Sequence, residues 1–113
     1  MPALELDITV DRAADFLLEV VVADTLDLTG ATAYGSIVDN GGLAIVDFTC
    51  TVDKESFTVS AALAAGDTLA LIPDEDYAYD LFLVRSAGTN RLRYGAVTVL
   101  RNYTKGAPID PTT

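Results

Sequence analysis

The sequence contains no histidine, no tryptophan and a single cysteine, Cys50. Histidine is the commonest general base and the commonest transition-metal ligand, so its absence removes the usual basis of most hydrolase mechanisms and most zinc sites. One cysteine cannot form an internal disulfide, and Cys50 has no imidazole to activate it. Its place in the apolar alternation IVDFTCTV predicts a small core residue rather than a reactive thiol.

Long apolar runs are also missing. The longest, FLLEVVVA, is interrupted by Glu19 and falls well short of the roughly 20 residues that cross a bilayer. The first segment, MPALELDITV, lacks the basic start and the apolar core of a secretion signal. We therefore expect it to form the first strand of the mature protein, and we expect neither export nor a membrane partner.

Basic residues are few. Seven Lys and Arg stand against seventeen Asp and Glu, for a net charge of −10, which is the wrong sign for binding nucleic acid or anionic lipid. Residues 1–84 hold sixteen acids and two bases, whereas residues 85–113 hold one acid and five bases. Either the late bases face the acidic part, within the domain or across a subunit contact, or all these charges are simply solvated. The late arginines are Arg85, Arg91, Arg93 and Arg101.

What the sequence does contain is a period-two alternation of apolar and polar residues, as in LELDITVD and FLLEVVVA. We count about seven such segments, with turn signals at intervals of about eight to twelve residues. The chain of 113 residues therefore predicts one all-β domain, an antiparallel immunoglobulin-like β-sandwich of about seven strands. A small closed barrel is the alternative.

Local signals add detail to this prediction. The Asn40-Gly41 pair predicts a tight hairpin with positive φ, and SAALAAGDTLALI predicts at most one short helical turn, interrupted at Gly66. The apolar residues change from even positions, Leu92 and Tyr94, to odd positions, Val97 and Val99, which predicts a β-bulge at or beside Gly95. We expect residues 1–103 to form the sandwich and residues 104–113, with two prolines, to form an extended arm.

Possible chemical sites are few. The consecutive acids Asp74, Glu75 and Asp76 predict a solvated turn better than a calcium site, because calcium loops space their ligands. Tyr77 and Tyr79 open an alternating strand, which favours a tyrosine corner over a sugar-stacking platform. Carboxylate pairs for glycoside hydrolysis have no specific spacing here, and no glycine-rich loop, CxxC or nucleophile elbow occurs. We therefore predict a protein that is not an enzyme and uses no metal, no cofactor and no small-molecule substrate.

The order of segments resembles a module of tailed-bacteriophage structural proteins, found in upper-baseplate and tail-fibre N-terminal domains and in small stand-alone virion proteins. The similar residues are Arg12 with Phe16, the turn Asp27 to Gly30, the Y-x-Y-x-L-x-L segment from Tyr77 to Leu83, and Leu92, Gly95, Val97 and Val99. The likeness covers roughly residues 5 to 104. It departs from the pattern at Ala13, where a glycine is usual.

This resemblance implies an immunoglobulin-like virion protein, made in the bacterial host cytoplasm, that acts without catalysis. The expected role is a tail or baseplate component or adaptor, and a capsid decoration protein is the close alternative. A bacterial immunoglobulin-like module that binds glycan or protein is the alternative from another class. Expected partners are other virion proteins or second copies of the chain. The residues proposed for these contacts are Arg85, Arg91, Arg93, Arg101, Tyr103 and Lys105.

Overall fold

The computed structural model describes residues 3–101. These residues form an all-β fold with one single-turn helix, α1. The strands and the helix are β1 (Leu4–Glu5), β2 (Ile8–Asp11), β3 (Phe16–Val21), β4 (Thr32–Asp39), β5 (Ala44–Asp47), β6 (Thr49–Asp53), β7 (Thr58–Leu63), α1 (Ala65–Thr68), β8 (Tyr77–Arg85) and β9 (Gly88–Leu100).

The strands form two sheets. The large sheet has the order β1-β9-β8-β4-β5, with β2 also paired to β9, and the small sheet has the order β3-β7-β6. The prediction of an all-β fold with antiparallel pairing is confirmed for both sheets, except that β1 and β2 pair with β9 in parallel. That parallel pairing was not predicted.

Nine strands are present within the described residues, rather than about seven, because two predicted strands are divided. LELDITVD is split into β1 and β2, and LAIVDFTCTV is split into β5 and β6. The second division occurs at Phe48, where the chain leaves the large sheet and enters the small one. The Phe48 ring is 7% exposed and lies 6.2 Å, centroid to centroid, from the rings of both Phe16 and Tyr79.

The core lies between the inner faces of the two sheets. Alternate residues of β8 are buried, and alternation along β3 also places Val20 inside. Each fully buried aliphatic side chain of this kind contributes roughly 1.5–3 kcal/mol. At the start of the chain, the alternation predicted burial wrongly, because Leu4 and Leu6 are 56% and 40% exposed. The core residues of the strands include Ile8, Val10, Val20, Ile37, Val59, Ala61, Leu63, Tyr79, Leu81, Leu83, Leu92, Val97 and Val99.

The predicted hairpin joins β4 to β5, but its conformation differs from the one expected. Positive φ occurs at Gly42 (+86°) and not at Asn40 or Gly41. The carboxylate of Asp39 accepts hydrogen bonds of 2.9 Å from the backbone N–H groups of Gly41 and Leu43. Because this side chain holds the turn from its first residue, a type I′ geometry at Asn40-Gly41 is not needed.

The bulge predicted at or beside Gly95 lies three residues earlier. The β8–β9 register passes from Leu81 opposite Arg93 to Phe82 opposite Arg91, which leaves Leu92 as the extra residue. Gly95 has another function, because the N-terminal segment passes over it. A Cβ at this position would lie 2.8 Å from the carbonyl carbon of Leu6. A phase slip is therefore present as predicted, but it lies before Tyr94, so Tyr94 does not share the inward face of Leu92.

The helical turn predicted after β7 is present as α1, and Gly66 lies inside it rather than interrupting it. The backbone N–H of Ala65 donates to Asp15 Oδ1 at 2.8 Å, and Thr68 Oγ1 accepts from the backbone N–H of Ala13 at 2.9 Å. These bonds attach the β2–β3 turn to α1. Among residues 3–101, no helix is long and apolar enough to cross a membrane.

Candidate interaction face on the large sheet

The outward side of the large sheet carries a row of aromatic and basic side chains. Tyr34 of β4 lies opposite Phe82 of β8, and Phe82 lies opposite Arg91 of β9. Directly opposed residues of paired strands point to the same side of a sheet. Because Leu81 and Leu83 beside Phe82 are fully buried, this row points away from the core. We call Tyr34, Phe82, Arg91 and Tyr94 the aromatic stripe.

Arg91 and Tyr94 are in contact on this face although three positions separate them. In a regular strand, residues three apart point to opposite sides. Here the bulge at Leu92 absorbs one residue, so Arg91 lies opposite Phe82 and Tyr94 lies opposite Asp80, on the same side. The guanidinium carbon of Arg91 lies 4.3 Å from the centre of the Tyr94 ring, which is close enough for a cation–π interaction.

A polar row borders the aromatic stripe. Ser36 of β4 lies opposite Asp80 of β8, and Asp80 lies opposite Tyr94. The hydroxyl of Ser36 donates a hydrogen bond of 2.6 Å to Asp47 Oδ1. The outer face thus combines rings, one guanidinium and a border of carboxylate and hydroxyl groups.

The stripe is accessible in the described chain. Tyr34 is 59% exposed, Arg91 is exposed, and Phe82 and Tyr94 are partly exposed. The small sheet packs against the opposite side of the large sheet, where the core lies. Tyrosine, phenylalanine and arginine are enriched at the centres of protein interfaces. This composition makes the outer face the strongest candidate for partner binding.

The four arginines proposed from the sequence do not form one surface. Arg85 lies two positions after the buried Leu83, and Arg93 lies opposite the buried Leu81, so both are on the inward side of β8 and β9. Arg85 donates to Asn90 Oδ1 at 2.9 Å, while its buried Nε has no hydrogen-bond partner in the described part of the chain. Only Arg91 belongs to the aromatic stripe.

The remaining late bases are elsewhere. Arg93 donates to the Leu92 carbonyl at 2.7 Å. Arg101 forms an ion pair of 3.0 Å with Asp74, which is one case of a late base facing the acidic part of the chain. Tyr103 and Lys105, and the whole arm predicted for residues 104–113, lie outside the described residues.

Both tyrosines of the predicted corner point inward, as expected. Tyr77 is 8% exposed and Tyr79 is 3% exposed. The Tyr77 hydroxyl accepts a hydrogen bond of 2.9 Å from the backbone N–H of Ile72, five residues upstream. The Tyr79 hydroxyl donates at 2.6 Å to the carbonyl oxygen of Leu6. These phenols serve the fold and are not exposed for ligand binding.

The three consecutive acids are exposed in the turn before β8. Asp74 takes a positive φ of 71°, and the N–H of Glu75 donates to the Ile72 carbonyl at 3.3 Å. Within residues 3–101, no group of three or more Cys, Asp and Glu side chains is arranged to hold a metal ion. The geometry is that of a polar turn.

The pKa values of Asp27 and Cys50 are shifted by their structural surroundings. Backbone and side-chain hydrogen bonds from Thr29 lower the pKa of Asp27, in the turn before β4, with a smaller contribution from the charge of Arg85. Cys50 is partly buried, as predicted. Burial, together with the charge of Asp47, raises the pKa of its thiol.

The aromatic stripe was not predicted from the sequence. Tyr34 alternates with buried Ala33 and Gly35, and Phe82 alternates with Leu81 and Leu83, so the outward direction of both rings could be read. Their adjacency could not be read, because it depends on the register between β4 and β8.

Comparison with known proteins gives no assignment: the chain matches no protein-family model and no curated protein sequence. The resemblance to phage modules therefore stays a prediction that rests on the residues that suggested it.

Proposed function

We propose that this protein is a non-catalytic structural protein of a tailed-bacteriophage virion, a tail or baseplate component or adaptor. It would be made in the bacterial cytoplasm and would assemble through contacts with other virion proteins or with second copies of itself. The sequence resemblance supplies the virion context. The aromatic stripe on the outer face of the large sheet is the observation that carries the assembly role.

An immunoglobulin-like topology is part of the proposal. If β3 is strand B and β9 is strand G, the small sheet has the order B-E-D and the large sheet contains the order C′-C-F-G. This is the strand order expected for such sandwiches. Tyr77 then opens strand F, and its hydroxyl bonds the backbone just upstream, as in a tyrosine corner. Both features support the assignment.

The outer face suits assembly for physical reasons. Rigid rings such as those of Tyr34 and Phe82 bury a large area and lose little side-chain entropy. Arg91 already stacks on Tyr94, so part of the ordering that binding requires is present before a partner arrives. The net charge of −10 keeps subunits soluble before assembly.

The virion role is tested by mass spectrometry of purified phage particles from an infected host, followed by electron microscopy of the same particles. We expect the chain in stoichiometric amount at a fixed position in the tail or baseplate. Its absence from purified particles would overturn the proposal. A position on the head lattice would support the alternative, a capsid decoration protein.

The aromatic stripe is tested separately by incorporation of variants into particles. Tyr34→Ser and Arg91→Ser should lower incorporation at least about tenfold, which is the usual effect of losing an interface centre residue. Val21→Ser is the matched control, because Val21 is 73% exposed on the small sheet. Equal incorporation of all three variants would show that the stripe is not the assembly surface.

A second candidate is a bacterial immunoglobulin-like module that binds glycan or protein. The observation in its favour is that the rings of Tyr34 and Phe82 stand beside the Ser36 and Asp80 row, since sugars bind to aromatic faces bordered by polar groups. A glycan array separates the two functions. Specific binding that is lost in Tyr34→Ala and Tyr94→Ala would favour the module.

A further inference from the structure

The outer side of the small sheet contains a shallow apolar cleft beside α1, widely open to solvent, on the side of the sandwich away from the aromatic stripe. Its volume is about 520 Å³, and its walls include Phe16, Leu17, Ala62 and Leu63. Leu17 of β3 lies opposite Ala62 of β7, which lies opposite Thr49 of β6. Leu17 is 59% exposed, so part of this apolar surface faces solvent.

Two carboxylates line the cleft. Asp15 and Asp67 are both among its lining residues, and both are exposed. Asp15 Oδ1 accepts from the N–H of Ala65 at 2.8 Å, and Asp67 Oδ2 accepts from the N–H of Ala64 at 3.2 Å. Each carboxylate is therefore held in position by one oxygen and retains a second oxygen.

The cleft is complementary to an aliphatic side chain that ends in a positive charge. No lysine or arginine is among its lining residues in the described chain, so its charge is negative. Lysine and arginine side chains lay their methylene stems on apolar surface and keep the charged end in water. A neutral apolar side chain would contact the same apolar residues but would not pair with the carboxylates. An acidic side chain would be repelled by them.

We propose that this cleft is a docking site for a lysine or arginine side chain of a partner protein. The stem lies on Leu17 and Ala62, and the cationic end lies between Asp15 and Asp67. The inference rests on the proposed function, because it names the partner chemistry for an assembly protein. It adds a second contact surface that is basic on the partner's side and distinct from the aromatic stripe.

The test uses N-acetyl-lysine-N-methylamide as the probe, titrated into isotopically labelled full-length protein and followed by NMR. We expect saturable shifts of the Leu17 and Ala62 methyl groups and of the Ala64 and Ala65 amides. The neutral analogue N-acetyl-norleucine-N-methylamide should bind about two- to fivefold more weakly, the range expected for an exposed ion pair. Added salt should remove that difference.

Two double variants distinguish binding at the cleft from a general effect of the protein's negative charge. Asp15→Asn with Asp67→Asn keeps oxygen acceptors for the α1 backbone and should abolish the preference for the cationic probe. Asp53→Asn with Glu55→Gln removes two charges at the opposite end of the small sheet and should leave the preference unchanged. Thermal unfolding of both double variants checks that the fold is retained.

Two results would overturn the inference: no saturable shift at Leu17 and Ala62, or equal binding of the two probes to the unmodified protein. Neither result bears on the presence of the chain in virions. Conversely, absence from virions together with probe binding at the cleft would remove the proposed function and leave the cleft as a cation-binding site.

Discussion

The hydroxyl of Tyr79 donates a hydrogen bond of 2.6 Å to the carbonyl oxygen of Leu6, across 73 positions of sequence. Leu6 lies between β1 and β2, and its own N–H donates to the Tyr94 carbonyl at 2.8 Å. The Tyr79 ring also packs edge-on against Phe48. One buried phenol on β8 therefore connects the core to the first strands, reaching past β9.

Tyr79→Phe should lower the free energy of unfolding by about 1 kcal/mol, because the ring stays and one hydrogen bond is lost. Urea denaturation measures the change, and hydrogen exchange should show faster opening of the amides in β1 and β2. Tyr34→Phe is the control, since Tyr34 is 59% exposed. Equal effects of the two substitutions would contradict a special role for the Tyr79 hydroxyl.

Stability should also fall at alkaline pH in a way that depends on Tyr79. Burial, chiefly, raises the pKa of Tyr79 above its ordinary value of 10.0, and the charge of Arg93 opposes that rise. The folded state therefore holds the proton more tightly than the unfolded state. The stabilisation is complete below pH 10 and is lost as the pH rises towards the folded-state pKa. Denaturation measured at a series of pH values from 9 upward gives the free energy of unfolding. This free energy should fall less steeply with pH for Tyr79→Phe than for the unmodified protein.

Gly95→Ala should destabilise the protein by about 1–3 kcal/mol, the usual cost of forcing atoms into a filled space. The added Cβ would lie 2.8 Å from the carbonyl carbon of Leu6 and 2.9 Å from Asp7 Oδ1. Gly66→Ala in α1 is the matched control, because a Cβ there meets nothing within 4 Å. Calorimetry should show a lower melting temperature for the first variant and an equal or higher one for the second.

Ala13→Gly should stabilise the protein by about 0.5–1 kcal/mol. Ala13 has a φ of +69°, which strains a residue that carries a Cβ, and relief of that strain exceeds the entropy that glycine loses on folding. The turn is held in this conformation by the bond from Ala13 N–H to Thr68 Oγ1. Ala14→Gly, at a position without positive φ, should instead destabilise. The two melting temperatures should therefore move in opposite directions.

Cys50 should react slowly with thiol reagents in the folded state at neutral pH. Burial and then the charge of Asp47 raise its pKa, so the reactive thiolate is scarce. The labelling rate should increase in 6 M urea, and it should increase slightly in folded Asp47→Asn. A folded protein that is labelled as fast as the unfolded chain would contradict this.

Much of the fold could be predicted because alternation is a local signal. The segment YAYDLFLVR coincides with β8, and its inward residues, including Tyr77 and Tyr79, were identified correctly. The alternation did not predict the point where the chain passes from one sheet to the other and a strand is divided. The switch of sheets at Phe48 depends on the partners that β5 and β6 find, and no residue between them breaks the apolar pattern.

The candidate site was less predictable for the same reason. The sequence placed the basic residues on the last strand and its flanks, and the structure distributes them over two sides and one end of the large sheet. The aromatic stripe draws its residues from three strands, and the cleft draws its residues from three strands and a helix. Spacing within one segment carries no information about such neighbours.

By itself, the sequence determined that the fold is all-β, that Tyr77 and Tyr79 point inward, that the chain is acidic and that the final strand needs a bulge. These properties depend on residue type and on a period of two, which each segment carries locally. The tertiary structure decided where that bulge lies. At Leu92 rather than Gly95, it turns Arg91 and Tyr94 to one side, because the register against β8 is set by core packing across the whole sheet.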